Sequence, residues 1–213
     1  MAAATGLKIA LLGAESTGKT TLARELAARF ASLGRTAVAV PEALREWCAR
    51  EARTPRPEEQ MAIAREQEQR VDEAAAHADV VIADTTALMV AIYSAILFED
   101  HSLLQFAVER QRAYDVTLVT GLDLPWVADG LQRDGPHVQE PVDAQVRDIL
   151  ARHAIEYRVV YGTGEERLRN ALAAIDASLA PRAAVRDWVW QCDKCSDPDC
   201  ERRLFGFAGG TRR

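Results

Sequence analysis

A chain of 213 residues, 48% hydrophobic and 27% charged, is long enough to bury one full core and short for two. Its formal net charge of −6 excludes a general polyanion-binding surface, so any phosphate site must be a local positive pocket and no nucleic-acid partner is expected. No stretch approaches the ~18 continuous apolar residues of a membrane span and the N-terminus has no basic leader, so a cytoplasmic protein without membrane partners is expected.

The chain opens with Leu7-Lys8-Ile9-Ala10-Leu11-Leu12, a short apolar run suited to a buried parallel strand. It feeds Gly13-Ala14-Glu15-Ser16-Thr17-Gly18-Lys19-Thr20, which fits G-x-x-x-x-G-K-[ST] at every defined position. Leu22, Leu26 and Phe30 then recur at helical spacing. A chance match in a glycine turn would lack this strand-loop-helix setting. Two glycines let the backbone curl so that successive N–H groups face phosphate oxygens, and the helix N-terminus adds partial positive charge. Gly13, Glu15, Ser16, Thr17, Gly18, Lys19, Thr20 and Thr21 are the candidate nucleotide-binding residues. Lys19 is placed to reach the β- and γ-phosphates, and the Thr20 hydroxyl to ligate Mg²⁺. ATP and Mg²⁺ are the expected cofactors.

Residues 36–40 form a second apolar run, stopped by Pro41, and 42–50 read as a helix with Leu44, Trp47 and Cys48 on one face. Thr54-Pro55-Arg56-Pro57 breaks the chain before a long polar helix over 58–78, expected at the surface or lining a cleft. A third strand covers 80–83 and ends in Asp84-Thr85-Thr86. Two helices follow, the first with Leu88, Val90, Ile92 and Leu97, the second over 102–112. A fourth strand spans 116–120. Residues 121–141, rich in Asp, Gly and Pro, read as a lid or as disorder, followed by a helix over 142–153. A fifth strand at 157–161 and a helix over 164–179 close the alternation. The pattern predicts an α/β P-loop NTPase with a parallel five-stranded sheet and helices on both faces. It occupies residues 1–181, and 182–213 form a short Cys-containing appendage.

Asp84, at the end of an apolar strand, is the candidate metal-side acid, with a helix N-cap as the bland alternative. Glu42 sits on the same rim of the sheet and is the candidate general base. Arg45 would orient it or bind substrate, unless the two are a surface i,i+3 pair. Trp47 and Tyr93 offer flat faces for an aromatic ligand, although a tryptophan on a helix face is more often core and Tyr93 shares the ambiguity. In the lid-like loop, Arg133 would neutralise transition-state charge, with Asp129 forming its turn and Trp126 anchoring it. Cys192, Cys195 and Cys200 leave three readings open: a structural Zn²⁺ site, a redox or disulfide pair, or free thiols.

At these residues the chain resembles the ribosylnicotinamide kinase domain of NadR-type proteins. The resemblance rests on the P-loop, Glu42-x-x-Arg45, Asp84-Thr85 and above all Pro125-Trp126-Val127-Ala128-Asp129-Gly130-Leu131, and covers about residues 7–175. It implies an NMP-kinase-like fold and transfer of the ATP γ-phosphate to the ribose 5′-hydroxyl of nicotinamide riboside. It further implies that Glu42 or Asp84 contacts the acceptor ribose and that Trp47 or Tyr93 stacks on the pyridinium. Full-length members also carry a DNA-binding region and an adenylyltransferase domain, so only the kinase step is carried over. The chain departs from the family pattern in placing Gln132 before Arg133 and Thr86 where relatives often have a second acid.

Three functions are weighed: this kinase, a kinase for another nucleoside or small alcohol, and a partner-regulated ATPase using the cysteine tail. A GTPase is disfavoured, because N-K-x-D needs an asparagine and Asn170 is followed by Ala171.

Overall fold

Among the residues that the computed structural model describes, 6–127 and 135–180, five strands form one parallel sheet. They are β1 (Leu7–Leu12), β2 (Ala37–Val40), β3 (Val80–Asp84), β4 (Val116–Thr120) and β5 (Arg158–Val160), in the spatial order β2-β3-β1-β4-β5. The interleaving helices are α1 (Lys19–Ser32), α2 (Ala43–Glu51), α3 (Pro57–Ala75), α4 (Ala87–Phe98), α5 (Leu104–Gln111), α6 (Gln139–Arg152) and α7 (Gly164–Leu179). This is the predicted P-loop architecture. No described helix is long and apolar enough to cross a membrane.

The central strands read as unbroken apolar runs because both of their faces are covered. Alternate side chains go to opposite faces. Ile9, Leu11, Ile82 and Leu118 join Leu22 and Leu26 of α1 and Ile175 of α7 in one cluster. Ala10, Val81 and Ala83 pack with Val71 of α3, while Leu12 and Val119 meet Leu88 and Ile92 of α4. Each large side chain fully buried in this way contributes about 1.5–3 kcal/mol.

The long helix α3 differs from the polar surface element its composition suggests. One face is buried, and it includes Gln60, Gln67 and Glu68 beside Ile63, Ala64 and Val71. The polar side chains there serve other helices. Gln67 Oε1 accepts from the Ala43 N–H at the start of α2 (2.7 Å), and Glu68 Oε1 accepts from the Ala87 N–H at the start of α4 (2.8 Å). Each satisfies a helix N-terminal donor that has no partner within its own helix. Burial pushes the Glu68 carboxyl above its ordinary range, against the pull of the Ala87 N–H and Arg110.

The helix expected from residue 142 begins at Gln139 instead. Pro141 lies in its first turn, where a missing N–H sacrifices no intrahelical bond. The chain divides into two units, Met1–Leu179 and Ala180–Arg213. Cys192, Cys195 and Cys200, and with them the Zn²⁺ reading, lie outside the described residues, as do Asp129 and Arg133.

Candidate functional site

Sheet register brings the three motifs together. Ala83 of β3 pairs with Val40 of β2, and Asp84 pairs with Leu11 of β1. Glu42, Asp84 and Gly13 therefore leave the carboxyl ends of three adjacent strands, spaced ~4.8 Å apart. This rim is where open parallel sheets bind ligands.

The P-loop is built by fixing its carbonyls. Thr120 Oγ1 donates to Leu12 O (3.1 Å), and Lys19 Nζ donates to Gly13 O (2.9 Å) and Ala14 O (2.7 Å). Thr17 Oγ1 also reaches Ala14 O (2.8 Å). Gln139 Nε2 holds Glu15 O (2.8 Å), and Arg167 Nη2 holds Thr17 O (2.6 Å). A planar trans peptide points its N–H opposite to its C=O, so each tie also sets the direction of the next residue's N–H. The loop's shape admits only small groups. A Cβ on Gly13 would lie 2.3 Å from Thr120 Oγ1, and Gly13 has φ 138°.

Arg167 is 4% exposed, and besides Thr17 O it holds Gly162 O (2.9 Å) and Asp123 Oδ1 (3.1 Å). It thereby ties the loops after β4 and β5 to the P-loop. The end of the loop after β4 is also fixed there, since Ser16 Oγ donates to Val127 O (2.6 Å).

On the β3 side of the loop, Thr20 Oγ1 donates to Asp84 Oδ2 at 2.5 Å, and Asp84 is 3% exposed. Its Oδ1 is buried without a hydrogen-bond partner. An acceptor-only oxygen left bare beside the Thr20 hydroxyl fits a hard cation. Asp84 does not cap α4, because the side chain that accepts from Leu88 N–H is that of Thr86 (3.2 Å). Between them Thr85, 3% exposed, adopts φ 72°, a left-handed conformation that costs a β-branched residue about 1–3 kcal/mol. No group of three or more His, Cys, Asp or Glu clusters as a metal site among the described residues.

Glu42 stands at the N-terminus of α2 and makes no side-chain cap, a task Gln67 performs from α3. Its carboxylate lies 3.4 Å from Arg45 Nε, with the Glu42 side chain 13% exposed. The i,i+3 partner is therefore real, and the pair sits on the rim of the site. Trp47 is in the core cluster, with the Arg53 guanidinium 4.7 Å above its ring, and Arg53 is in turn bonded to Glu59. Tyr93 is partly buried against the same cluster. Trp126 is half-buried, and its Nε1 has no partner among the described residues.

Sequence reasoning missed Thr120, Gln139 and Arg167, which hold the loop, and Gln67. One signal was present: Arg167 lies on the stripe of Ala171 and Ile175, where a core-facing helix position should be apolar.

A family model described as the AAA domain matches residues 8–167. The fold is similar to two solved structures of NadR protein, each with a TM-score of 0.66. The one in complex with NR is 17% identical over 86% of this chain and 54% of that one. The one in complex with NAD and AMP-PNP is 16% identical over 84% of this chain and 51% of that one. The chain thus spans about half the length of either. Deoxyadenosine kinase from M. mycoides with products dCMP and dCDP bound is 14% identical, with a TM-score of 0.55 over 80% of this chain and 100% of that one. No curated protein matches the chain. At these identities the likeness establishes the fold.

Proposed function

The chain belongs to the AAA domain family, and from that premise we propose that it is a small-molecule kinase that transfers the γ-phosphate of ATP to the ribose 5′-hydroxyl of nicotinamide riboside, giving nicotinamide mononucleotide. The observation that carries this reading is the rim itself. Asp84, hydrogen-bonded to Thr20 with one oxygen unpartnered, stands one strand away from Glu42. A hydrolytic switch needs a positioned water, whereas this site offers a second carboxylate where an acceptor alcohol would lie. The NadR structure in complex with NR supports the choice of acceptor.

In this mechanism the loop amides, the start of α1 and Lys19 bind the phosphate chain, with Lys19 exchanging carbonyl oxygens for phosphate oxygens. Thr20 and Asp84 would hold Mg²⁺, which when bound neutralises charge on the β- and γ-phosphate oxygens. Glu42 accepts the proton of the 5′-hydroxyl as its oxygen bonds to the γ-phosphorus and the bond to the β–γ bridging oxygen breaks, leaving ADP. Arg45 holds the Glu42 carboxylate in position. Arg133 neutralises the charge on the moving phosphoryl group, with Asp129 in its turn. Trp126, Trp47 and Tyr93 supply the aromatic side of the acceptor site.

The test is ADP release from Mg·ATP with no acceptor, with nicotinamide riboside and with a panel of other nucleosides. Stimulation by nicotinamide riboside, with its mononucleotide as product, is expected. Stimulation by a different nucleoside alone would keep the mechanism and discard the substrate. Brisk acceptor-independent hydrolysis would replace the kinase by a partner-regulated ATPase.

A further inference from the structure

Two buried amides on α3 have no structural use for one of their atoms. Gln60 is 2% exposed and its Oε1 has no hydrogen-bond partner; Gln67 is 1% exposed and its Nε2 has none. Leaving such a group unpaired in the interior is destabilising, so two on one helix need a reason. Seven residues at ~100° each return to within about 20° of the starting direction, and they rise about 10 Å. Gln60 and Gln67 therefore lie on one line along the buried face of α3.

The two ends of that line are informative. At one end Gln67 Oε1 is fixed by the N–H of Ala43, which places its amide at the start of α2, one residue along the chain from Glu42. At the other end Gln60 follows Glu59, which holds Arg53 against the Trp47 ring. One end of the line meets the start of α2, just past β2, and its length of about 10 Å is of the order of a nucleoside.

We propose that Gln67 and Gln60 determine acceptor specificity. Gln67 Nε2 donates to a ribose hydroxyl, and Gln60 Oε1 accepts an N–H from the exocyclic amide of the base. This rests on the nucleoside-kinase reading above and assigns the residues that read the acceptor. A site with a committed acceptor atom rejects analogues that lack the matching donor more strongly than an apolar pocket can. It follows that the carboxamide of nicotinamide riboside is preferred over the carboxylate of nicotinic acid riboside, which has no N–H to offer.

The experiment uses the full chain, Mg·ATP and both ribosides. Gln67→Glu keeps an oxygen to cap Ala43 N–H and replaces the donor by an acceptor carboxyl oxygen; Gln60→Met removes the acceptor at similar volume, and Gln60→Glu restores one. Gln67→Glu is expected to raise the KM for both ribosides about tenfold, with the KM for ATP held within about twofold. Gln60→Met is expected to raise the KM for nicotinamide riboside about tenfold and leave nicotinic acid riboside unchanged, with Gln60→Glu recovering the preference. Wild-type transfer with unaltered acceptor KM in the variants would overturn this assignment alone. So would parallel changes in both substrates' KM in Gln60→Met, or a KM for ATP that rises with that of the ribosides in Gln67→Glu, either being the mark of a structural role. A wild type that phosphorylates no nucleoside would overturn the proposed function and this inference with it.

Discussion

The two ends of the rim, to which we assign the phosphates and the acceptor, are built on opposite plans. Around the P-loop, the carbonyls of Leu12, Gly13, Ala14, Glu15 and Thr17 each meet a side-chain donor drawn from the loop itself, β4, α6 or α7. Along α3, by contrast, Gln60 Oε1 and Gln67 Nε2 are buried and bare, whereas the bare atoms Asp84 Oδ1 and Arg167 Nε belong to side chains already bonded to Thr20 and to Thr17 O. One end is organised before any ligand arrives, and the other is left with polar atoms that ligands must satisfy. A kinase gains from this division. The nucleotide is common to many reactions and can be met by a rigid cradle, while discrimination rests on groups that suffer when the wrong acceptor binds.

The comparison breaks first at Lys19. Lys19→Ala should lower ADP release in the presence of acceptor by about 10³-fold or more, because it removes both the phosphate contact and the tie on two carbonyls. A variant with full turnover would sink the mechanism. At the other end Glu42→Gln and Asp84→Asn should each lower kcat by about 10²–10³-fold. Loss in Asp84→Asn alone, with Glu42→Gln unchanged, would move the proton to Asp84. Arg167→Ala sharpens the contrast without touching the chemistry. It strips the buried carbonyl of Thr17 and takes the cation from Asp123, which keeps the Gly162 N–H, so urea denaturation should show about 2 kcal/mol of lost stability, discounted for the partly exposed Asp123. The KM for ATP should rise while that for the acceptor holds. The reverse split would show that Arg167 serves the acceptor end.

The smallest effect lies at Glu59. Hydrogen bonds from the Arg53 guanidinium and the Arg56 N–H pull its carboxyl down to about 2 from the ordinary 4.5. A depressed carboxyl stabilises the fold above its unfolded value and loses that contribution as pH falls towards its folded one. Glu59→Gln should therefore lower Tm slightly at pH 7, and the difference should vanish between about pH 4.5 and 2. A difference that persists at pH 2 would mean that packing, and not charge, holds Arg53 over Trp47.

The strands and the nucleotide loop were readable because their signals are local. Apolar runs bounded by turns marked all five strands, and the glycines, Lys19 and Thr20 fall within eight residues. The donors that make the loop rigid are remote. Thr120 bonds Thr17 across 103 residues of sequence, Gln139 reaches Glu15 across 124 and Arg167 reaches Thr17 across 150. No periodicity carries such pairings. The buried face of α3 was hidden for a related reason. Its glutamines and Glu68 look solvated until the N-termini of α2 and α4 are brought against them. Pro141 misled in the other direction, since a proline marks a break unless it falls in a helix's first turn.

Thr85 bears on how this protein can be engineered. A glycine there would relax the left-handed turn after Asp84 at no steric cost, and it would also free the backbone that aims that carboxylate at Thr20. Thr85→Gly would set the relief of that strain against the loss of a buried side chain, and selection for growth that depends on forming the product would discard it. Directed evolution for stability alone is therefore blind to what the reaction requires.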